Sequence, residues 1–459
     1  MTKAYIPQRG GALLILLCAL AASLAAVMAA KAATTHASRH RDAVTARALA
    51  HAHGALLSYA VAVAPNTAAK RPGDLPCPDL DNDGSAELTC VAAAMRIGRL
   101  PWRTLDLPDL RDGDGERLWY ALSGRFDRTT SNQCPVSGGA NCLNSDTPGT
   151  LTVRDTSGAT LHDGSDLASG AIAVVIAPGR PLQRVGVAAV QARNCTGDVD
   201  PAGCELTGKC SSTVTALCDP ANYLDRMAAP VLAVAAAAGG AEDNAGFADG
   251  DTSDGFMQGP IRDNTGATRL NDRLRMVRRE DLMPALERRV AAHAARCLET
   301  YAADSSERMP WASPLSVPYT EVLTDQDGVR FGRLPTELSA TAAYPGMQPL
   351  WSADCPSSLS GSHHLWWANW KDQVFYAMAE AYAPNASVTG CGSCLTVDPP
   401  SPVADKRAVV LIAGAALPGQ FRDTSASAAA YLEAANADGD DAFGQALATP
   451  TFNDRVWHP

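Results

Sequence analysis

The organisation of the chain is decided by residues 8–31, which read QRGGALLILLCALAASLAAVMAAK. Within this stretch, residues 12–30 form a run of 19 residues without a charged side chain. At about 1.5 Å per residue, a helix of this length measures about 28 Å, enough to span the hydrocarbon core of a bilayer. Lys3 and Arg9 precede the run, so the positive-inside rule predicts a cytoplasmic N-terminus and a body on the other side of the membrane.

A cleaved secretory signal is the alternative interpretation of the same stretch. The apolar region of such a signal usually has about 7–15 residues, fewer than this run contains. Ala-x-Ala-like cleavage sites nevertheless occur around residues 30–33, and they keep this alternative open.

The composition bounds the class of protein. The 459 residues suffice for two or three domains, and the 46% apolar share supports packed cores. Lys and Arg number 38 against 49 Asp and Glu, which gives a formal charge of −11. Such a surface repels phosphate backbones, so we expect no nucleic acid partner.

The cysteines indicate an oxidising compartment. Of 13 cysteines, Cys18 lies in the apolar run, and the other twelve form an even set with many short spacings. This pattern predicts disulfides in an exported protein. Zinc is the weaker alternative, because the single Cys-x-x-Cys motif, residues 391–394, has no matching pair of ligands. That motif could also be a redox pair, but a structural disulfide is favoured. By proximity we predict the pairs Cys77–Cys90, Cys134–Cys142 and Cys391–Cys394, with the other six cysteines also paired.

Residues 8–17 resemble the class III signal of type IV prepilins and type II secretion pseudopilins. In that family prepilin peptidase cuts after a glycine that follows a basic residue, which by resemblance places the cut between Gly10 and Gly11. Most members carry Glu at the fifth mature position. Here that position is Ile15, as in the large tip pseudopilin of type II secretion and some minor pilins.

The resemblance extends over residues 8–126 to a group of large prepilin-like proteins. A predicted helix over residues 35–63 is followed by four segments in the order seen in that group. They are Leu-Pro-Cys-Pro at 75–78, an acidic Gly turn at 79–84, Leu-Pro-Trp at 100–102, and an Asp/Gly-rich turn at 112–115 that leads into Tyr-Ala. The prolines and glycines separate short strands after one long helix, which is the pilin plan of a helix packed on an antiparallel sheet.

An internal repeat indicates a duplication. Eight short segments recur later in the chain in the same order. The first copies lie at 50–60, 98–101, 119–121, 142–153, 173–177, 223–225, 249–251 and 271–274, and the second at 292–302, 332–335, 375–377, 394–397, 409–413, 431–433, 438–440 and 453–456. The second copy begins with its own helix at 281–303, one face of which carries Leu282, Leu286, Val290, Ala294, Cys297 and Tyr301.

The expected fold class is therefore α+β, with an N-terminal transmembrane helix as spine and two duplicated pilin-like modules, each a helix packed on an antiparallel sheet. We expect a prepilin-like leader at 1–10 and a transmembrane helix at 11–33. The first module, with a Cys-rich insertion, is expected at 34–280 and the second at 281–459.

An acidic turn suggests a metal site. Asp79, Asp81 and Asp83 precede Gly84, and alternating carboxylates on a tight turn suit calcium, which takes six to eight oxygen ligands. Position twelve of the segment is Cys90, where an EF-hand needs Glu, so the turn is not an EF-hand. A solvated polar turn is the alternative. Two further acidic Gly segments, at 249–254 and 438–441, are weaker candidates.

The resemblance implies a minor pilin or pseudopilin, a structural subunit of a type IV pilus or type II secretion-like filament, and the bulk of the chain favours the tip. Its partners would be other pilin or pseudopilin subunits, prepilin peptidase and the bacterial inner membrane. The chain would cross that membrane once, with its C-terminal region in the periplasm. After assembly it could lie in a filament or at the cell surface. We expect no enzyme activity. The alternative is an inner-membrane-anchored periplasmic enzyme or ligand-binding protein.

Overall fold

A computed structural model describes most of the chain. The described residues are 11–62, 71–127, 142–166, 169–183, 190–193, 219–226, 243–246, 255–318, 321–352, 355, 364–387, 390–392, 394–399, 401–422 and 427–458. They contain three α-helices: α1 (Gly11–Ala62), α2 (Arg279–Asp304) and α3 (His364–Trp370).

Sixteen strands are described, nine before α2 and seven after it. Those of the first half are β1 (Ile97–Arg99), β2 (Trp119–Leu122), β3 (Val153–Arg154), β4 (Thr160–His162), β5 (Ala173–Ala177), β6 (Phe256–Met257), β7 (Ile261–Arg262), β8 (Thr268–Leu270) and β9 (Arg273–Val277). Those of the second half are β10 (Phe331–Arg333), β11 (Val374–Met378), β12 (Leu395–Asp398), β13 (Ser401–Lys406), β14 (Ala408–Ile412), β15 (Ala442–Gly444) and β16 (Arg455–Trp457).

Helix α1 is one continuous element. The sequence predicted a membrane helix and a second helix separated by a short polar break, but the chain stays helical through residues 31–35. None of these residues is Pro or Gly, so nothing in the backbone forces a break. Residues 13–41 are exposed, whereas Leu49, Ala52 and Leu56 on one face of the C-terminal part are buried. The helix therefore projects from the body of the protein by roughly 45 Å.

Each half contains a four-stranded antiparallel sheet of the same strand order. The orders are β1-β2-β5-β9 and β10-β11-β14-β16. The registers also correspond. Gly98 lies opposite Tyr120 and Tyr120 opposite Val175 in the first sheet, and Gly332 lies opposite Tyr376 and Tyr376 opposite Val410 in the second.

This register corrects the sequence alignment by one residue. The sequence matched residues 173–177 with 409–413, which pairs Val175 with Leu411. The hydrogen bonds instead make Val410 the counterpart of Val175, because each lies opposite the central tyrosine of its neighbouring strand. Both strands are buried on both faces and uniformly apolar, so they lack the alternation that fixes a register in sequence.

A small three-stranded sheet covers the outer face of each large sheet. The orders are β4-β3-β6 and β13-β12-β15, and in each the last pair is parallel. These small sheets were not predicted from the sequence, and each adds a parallel pair beside the antiparallel sheet expected in each half. A parallel pair needs a long connection between its strands, and the chain between β3 and β6, like that between β12 and β15, is long enough.

The two helices lie on the inner faces and touch one another. Helix α1 packs on β5 and β9, α2 packs on β14 and β16, and α1 contacts α2. One apolar core consequently runs through both halves and includes Leu56, Leu122, Leu286 and Trp370. All six residues predicted for the inner face of α2 are buried.

Candidate functional site

The acidic turn forms a compact loop whose backbone orients its carboxylates. The backbone of Asp79 forms an antiparallel bridge with that of Arg99, and its carboxylate accepts hydrogen bonds from the backbone N–H groups of Asn82 at 2.6 Å and Gly84 at 2.8 Å. Asn82 and Gly84 have φ values of 68° and 91°, which close the turn. The Cys77–Cys90 disulfide joins the two ends of this segment. The loop is thus held in place by covalent and backbone constraints.

The carboxylates of this loop lie close together in a buried setting. Ligand oxygens of Asp79, Asp81 and Asp83 lie within 4.8 Å of one another, the one group of this kind among the described residues. Burial, with the negative charges of Asp81 and Asp83, raises the pKa of Asp79 to about 8. Burial and the same two charges raise the pKa of Glu87, which accepts a hydrogen bond from Leu80 N–H at 3.2 Å.

This donor set fits a hard cation. Oxygen-rich clusters of carboxylates suit calcium, and a divalent ion would offset the repulsion that raises the pKa of Asp79. In the second half, Ser313 makes with Arg333 the bridge that Asp79 makes with Arg99.

The two weaker acidic segments differ from this loop. Residues 249–254 lie outside the described residues. In the segment 438–441, Asp441 forms an ion pair with Arg330 at 3.0 Å, and Asp438 caps the N–H of Asp440 at 3.2 Å. Among the described carboxylates, those of Asp438, Asp440 and Asp441 do not gather at one point.

All the described cysteines outside α1 are disulfide-bonded. The predicted disulfides Cys77–Cys90 and Cys391–Cys394 are confirmed. A third joins Cys297 on α2 to Cys355, 58 residues later. Cys142 is disulfide-bonded, but Cys134 and the four cysteines between 195 and 218 lie outside the described residues. Cys18 is an exposed free thiol on α1.

A buried polar network that the sequence did not predict occurs in both halves. Its members in the first half are Arg99, Gln191, Arg193, Tyr223, Asp225, Asn244, Asn271 and Asp272, and their counterparts are Arg333, Gln420, Arg422, Tyr431, Glu433, Asn436, Asn453 and Asp454. In each half the second arginine lies 5.1 Å from the tyrosine ring centroid and donates to the glutamine two positions before it. The recurrence of Gln-x-Arg at 191–193 and 420–422 was the signal that could have identified it.

Each network contains two carboxyl groups that share limited space. Burial, with the charge of Glu433, raises the pKa of Asp454 to about 8. Burial, with the charge of Asp225, raises the pKa of Asp272 well above its usual range, and burial raises that of Asp225 to about 6. Asp225, Asp272 and Asp454 are each at most 1% exposed. We therefore interpret these carboxyl pairs as groups that stabilise the surrounding loops and not as a ligand-binding site.

A segment of the first half docks on the second. Asp146 accepts hydrogen bonds from Gln373 Nε2 at 2.7 Å, Ala416 N–H at 2.8 Å and Arg422 Nη1 at 2.9 Å. The adjacent Ser145 donates to Glu287 Oε1 on α2 at 3.0 Å. The segment therefore links the two halves by charge as well as by the shared core.

The apolar part of α1 is long and apolar enough to cross a membrane, which fits a single-pass anchor. No family model, curated protein or solved structure matches the chain. The functional conclusion therefore depends on α1, the paired sheets and the acidic loop.

Proposed function

We propose that this protein is a minor pilin- or pseudopilin-like subunit, anchored by α1 in the bacterial inner membrane with both halves in the periplasm. The observation that carries this proposal is the division of α1. Its first thirty or so residues project as an exposed rod whose residues 12–30 are uncharged, and its last turns are buried against an antiparallel sheet. Such a rod can lie in a bilayer and then move into a helical bundle that is equally apolar, where its many alanines permit close packing.

The correspondence between the halves supports a duplication of the helix-and-sheet unit. The two large sheets share strand order and register, and each carries the same buried polar network on its outer side. A subunit with two such units in its head fits poorly within a tightly packed shaft. We therefore place it at the tip of a type IV pilus or type II secretion-like filament.

The acidic loop is proposed to bind calcium through Asp79, Asp81 and Asp83. The ion would stabilise the connection between α1 and the first sheet, because the loop bridges to β1 through Arg99. Its role is structural in this proposal.

An anchored periplasmic enzyme or ligand-binding protein is the second candidate. The described carboxyl pairs have shifted pKa values, a property common at active sites, but they are sealed from solvent. The filament subunit is therefore favoured.

The mature N-terminus tests the proposal. Intact-mass analysis of the protein from cells with prepilin peptidase should find a chain beginning at Gly11, and cells without the peptidase should retain residues 1–10. Gly10→Val should block the processing, whereas the matched change Ala30→Val should not. A mature chain beginning near residues 32–34 would mean secretory cleavage and would remove the filament proposal.

A further inference from the structure

The outward face of α1, above its uncharged segment, carries a row of basic side chains. Neighbouring members of this row are three, four or seven residues apart, so they share one face of the helix. We call them the basic stripe: His36, Arg39, His40, Arg47 and His51, all of them exposed. The residues that α1 buries against the body, among them Leu49 and Leu56, lie on the opposite face.

No acidic residue of α1 neutralises the basic stripe. Asp42 is the only acidic residue between 31 and 62, and it accepts a hydrogen bond from Arg273 of β9 at 2.8 Å, away from the stripe. Arg47 Nε donates to Ala43 O within the helix at 3.3 Å. Among the described residues, no hydrogen bond or ion pair joins the stripe to another element. A cationic face is thus left without a partner in a chain whose formal charge is −11.

The duplicated helix α2 differs from α1 in this respect. Its exposed charged side chains carry both signs, and they are Glu280, Arg288, Arg296, Glu299 and Asp304. In the repeat, His51 of α1 corresponds to His293 of α2, which is only 9% exposed. The basic stripe therefore belongs to α1 alone, and the shared helix-and-sheet plan does not require it.

A membrane surface would account only for the lower end of the stripe. The uncharged run ends at Ala30, and α1 is continuous beyond it. At 1.5 Å per residue, His36 lies about 9 Å above that end, Arg47 about 25 Å and His51 about 31 Å. The headgroup layer is about 5–8 Å thick, and the Debye length in physiological salt is about 8 Å. Lipid headgroups therefore do not reach Arg47 and His51, and the occupant of the whole stripe must extend along α1.

A helix that runs beside α1 meets this requirement. The small residues Ala43, Gly54 and Ser58 lie on the same face as the stripe, and a Cβ placed on Gly54 would meet nothing within 4 Å. Small side chains allow two helices to approach closely. The guanidinium and imidazole N–H groups of the stripe would then donate to carboxylates on the neighbouring helix. The stripe therefore fits a helix whose facing side carries Asp or Glu.

The α1 helix of a second copy cannot be that neighbour. Two copies anchored at the same depth would place Arg39 level with Arg39 and Arg47 level with Arg47, and like charges repel. We propose that the basic stripe docks the acidic face of a helix from a different filament subunit anchored in the same membrane. The proposal rests on the filament function proposed above and adds the chemistry of the neighbouring subunit.

A charge exchange between copies of the full chain tests the chemistry of the stripe. Every copy carries Ala43→Cys as a cross-linking site on the stripe and Cys18→Ser to remove the free thiol of α1. Copies with the double change Arg39→Glu and Arg47→Glu are mixed with copies that keep both arginines, in phosphatidylcholine vesicles. Membrane anchoring places Glu and Arg at the same height, so oxidation should cross-link the mixture at least tenfold more than either population alone.

A matched reversal on α2 is the control. Copies with Arg288→Glu and Arg296→Glu, an equal charge change at two exposed sites, should cross-link to copies with unchanged stripes no more than those copies do to one another. An unchanged melting temperature of each variant shows that folding is retained.

The natural neighbour is identified in the cells that produce this protein. A photo-reactive phenylalanine analogue in place of Ala43 should form an adduct with another subunit, and mass spectrometry should locate it on a helix that carries Asp or Glu. The double change Arg39→Glu and Arg47→Glu should reduce this adduct at least tenfold.

Several results would overturn the inference. In vesicles they are equal cross-linking of mixed and unmixed copies, or an equal gain from the reversal on α2. In cells they are an adduct with a second copy of this chain, with a phospholipid, or with nothing. The vesicle experiment uses the anchored full chain and depends neither on where the N-terminus is cut nor on a filament, so the stripe and filament proposals can fail separately.

Discussion

At the scale of single residues, the environment of each aspartate decides its chemistry. Asp263 on an exposed turn accepts hydrogen bonds from Thr265 and Arg269, and these hold its pKa far below the usual range. Asp79 and Asp454 are buried near other carboxylates, and the pKa of each rises to about 8. The same residue type is therefore a charged turn former in one place and a buried carboxyl group with a raised pKa in another.

Calcium should bind the acidic loop with an affinity that rises with pH. Because the pKa of Asp79 is about 8, this carboxyl is mostly protonated at pH 7, and a cation must displace the proton. We expect millimolar calcium to raise the melting temperature by several degrees at pH 8.5, and less at pH 6.5. Asp79→Asn should abolish the shift, whereas Asp438→Asn, in the other described acidic turn, should keep it. If calcium does not change the melting temperature of the wild-type protein at pH 8.5, the loop is a solvated polar turn that binds no calcium.

The Glu433–Asp454 pair should make the protein less stable as the pH rises. The folded pKa of Asp454, about 8, exceeds the unfolded value of roughly 3.9. The folded state therefore holds a proton that the unfolded state releases, and the free energy of unfolding falls between about pH 4 and 8. Asp454→Asn should flatten the dependence of melting temperature on pH in that window, with a gain of roughly 1 kcal/mol at pH 8. Asp304→Asn, an exposed control, should leave the slope unchanged, and an unchanged slope in Asp454→Asn would contradict the shared proton.

At the scale of elements, the large sheets depend on close approaches that only glycine permits. A Cβ on Gly332 of β10 would lie 2.0 Å from Ser313 O, and one on Gly98 of β1 would lie 2.6 Å from Asp79 O. These glycines occupy the same register position in the two sheets, each opposite a tyrosine. The extra bridge that each sheet makes to the preceding segment therefore requires glycine there.

Gly332→Ala and Gly54→Ala should shift stability in opposite directions. The first forces a backbone clash and should cost about 1–3 kcal/mol of unfolding free energy. The second adds a methyl group on α1 where nothing lies within 4 Å, and it should stabilise the helix by about 0.5–1 kcal/mol. Urea denaturation of the two variants measures both effects. A Gly332→Ala protein as stable as the wild type would show that the bridge to Ser313 is dispensable.

At the scale of the whole molecule, the two halves behave as one body. One core runs through α1, α2 and both large sheets. Residues 142–147 of the first half also form hydrogen bonds with residues of the second half. The Asp146 carboxylate neutralises Arg422, whose side chain is 7% exposed. A movement of one half against the other would leave this arginine buried without its counter-ion, so we expect the halves to unfold together.

Asp146→Ala should weaken that coupling. The Arg422 side chain is buried but that of Asp146 is 32% exposed, so solvent screens the pair and its loss should cost about 1–3 kcal/mol, less than the loss of one partner from a fully buried pair. Calorimetry of the wild type should show one transition, and the variant should show a lower melting temperature with a broadened or divided transition. Asp155→Ala, which removes a carboxylate bonded only within its own exposed turn, should change little. Two separate transitions in the wild type would contradict the single body.

The sequence by itself determined the features that depend on local pattern. The uncharged run predicts the exposed part of α1, the periodic apolar positions predict the buried face of α2, and two close cysteine pairs form the disulfides expected of them. The recurring short motifs also indicated where the strands of both large sheets lie. In each case a helical or short-range constraint acts between residues that are near in sequence.

Only the tertiary structure decided the pairings between distant residues. Four contacts join positions that are far apart in sequence. They are the pairing of Val175 with Tyr120, the parallel pairs of the small sheets, the Cys297–Cys355 disulfide and the ion pair of Asp146 with Arg422. A buried apolar strand has no alternation to fix its register, and a polar side chain gives no sign in sequence of the charge that will face it. These pairings are decided by the packing of both halves around α1 and α2. This packing brings the paired residues into contact and excludes the water that would otherwise hydrogen-bond to their polar groups.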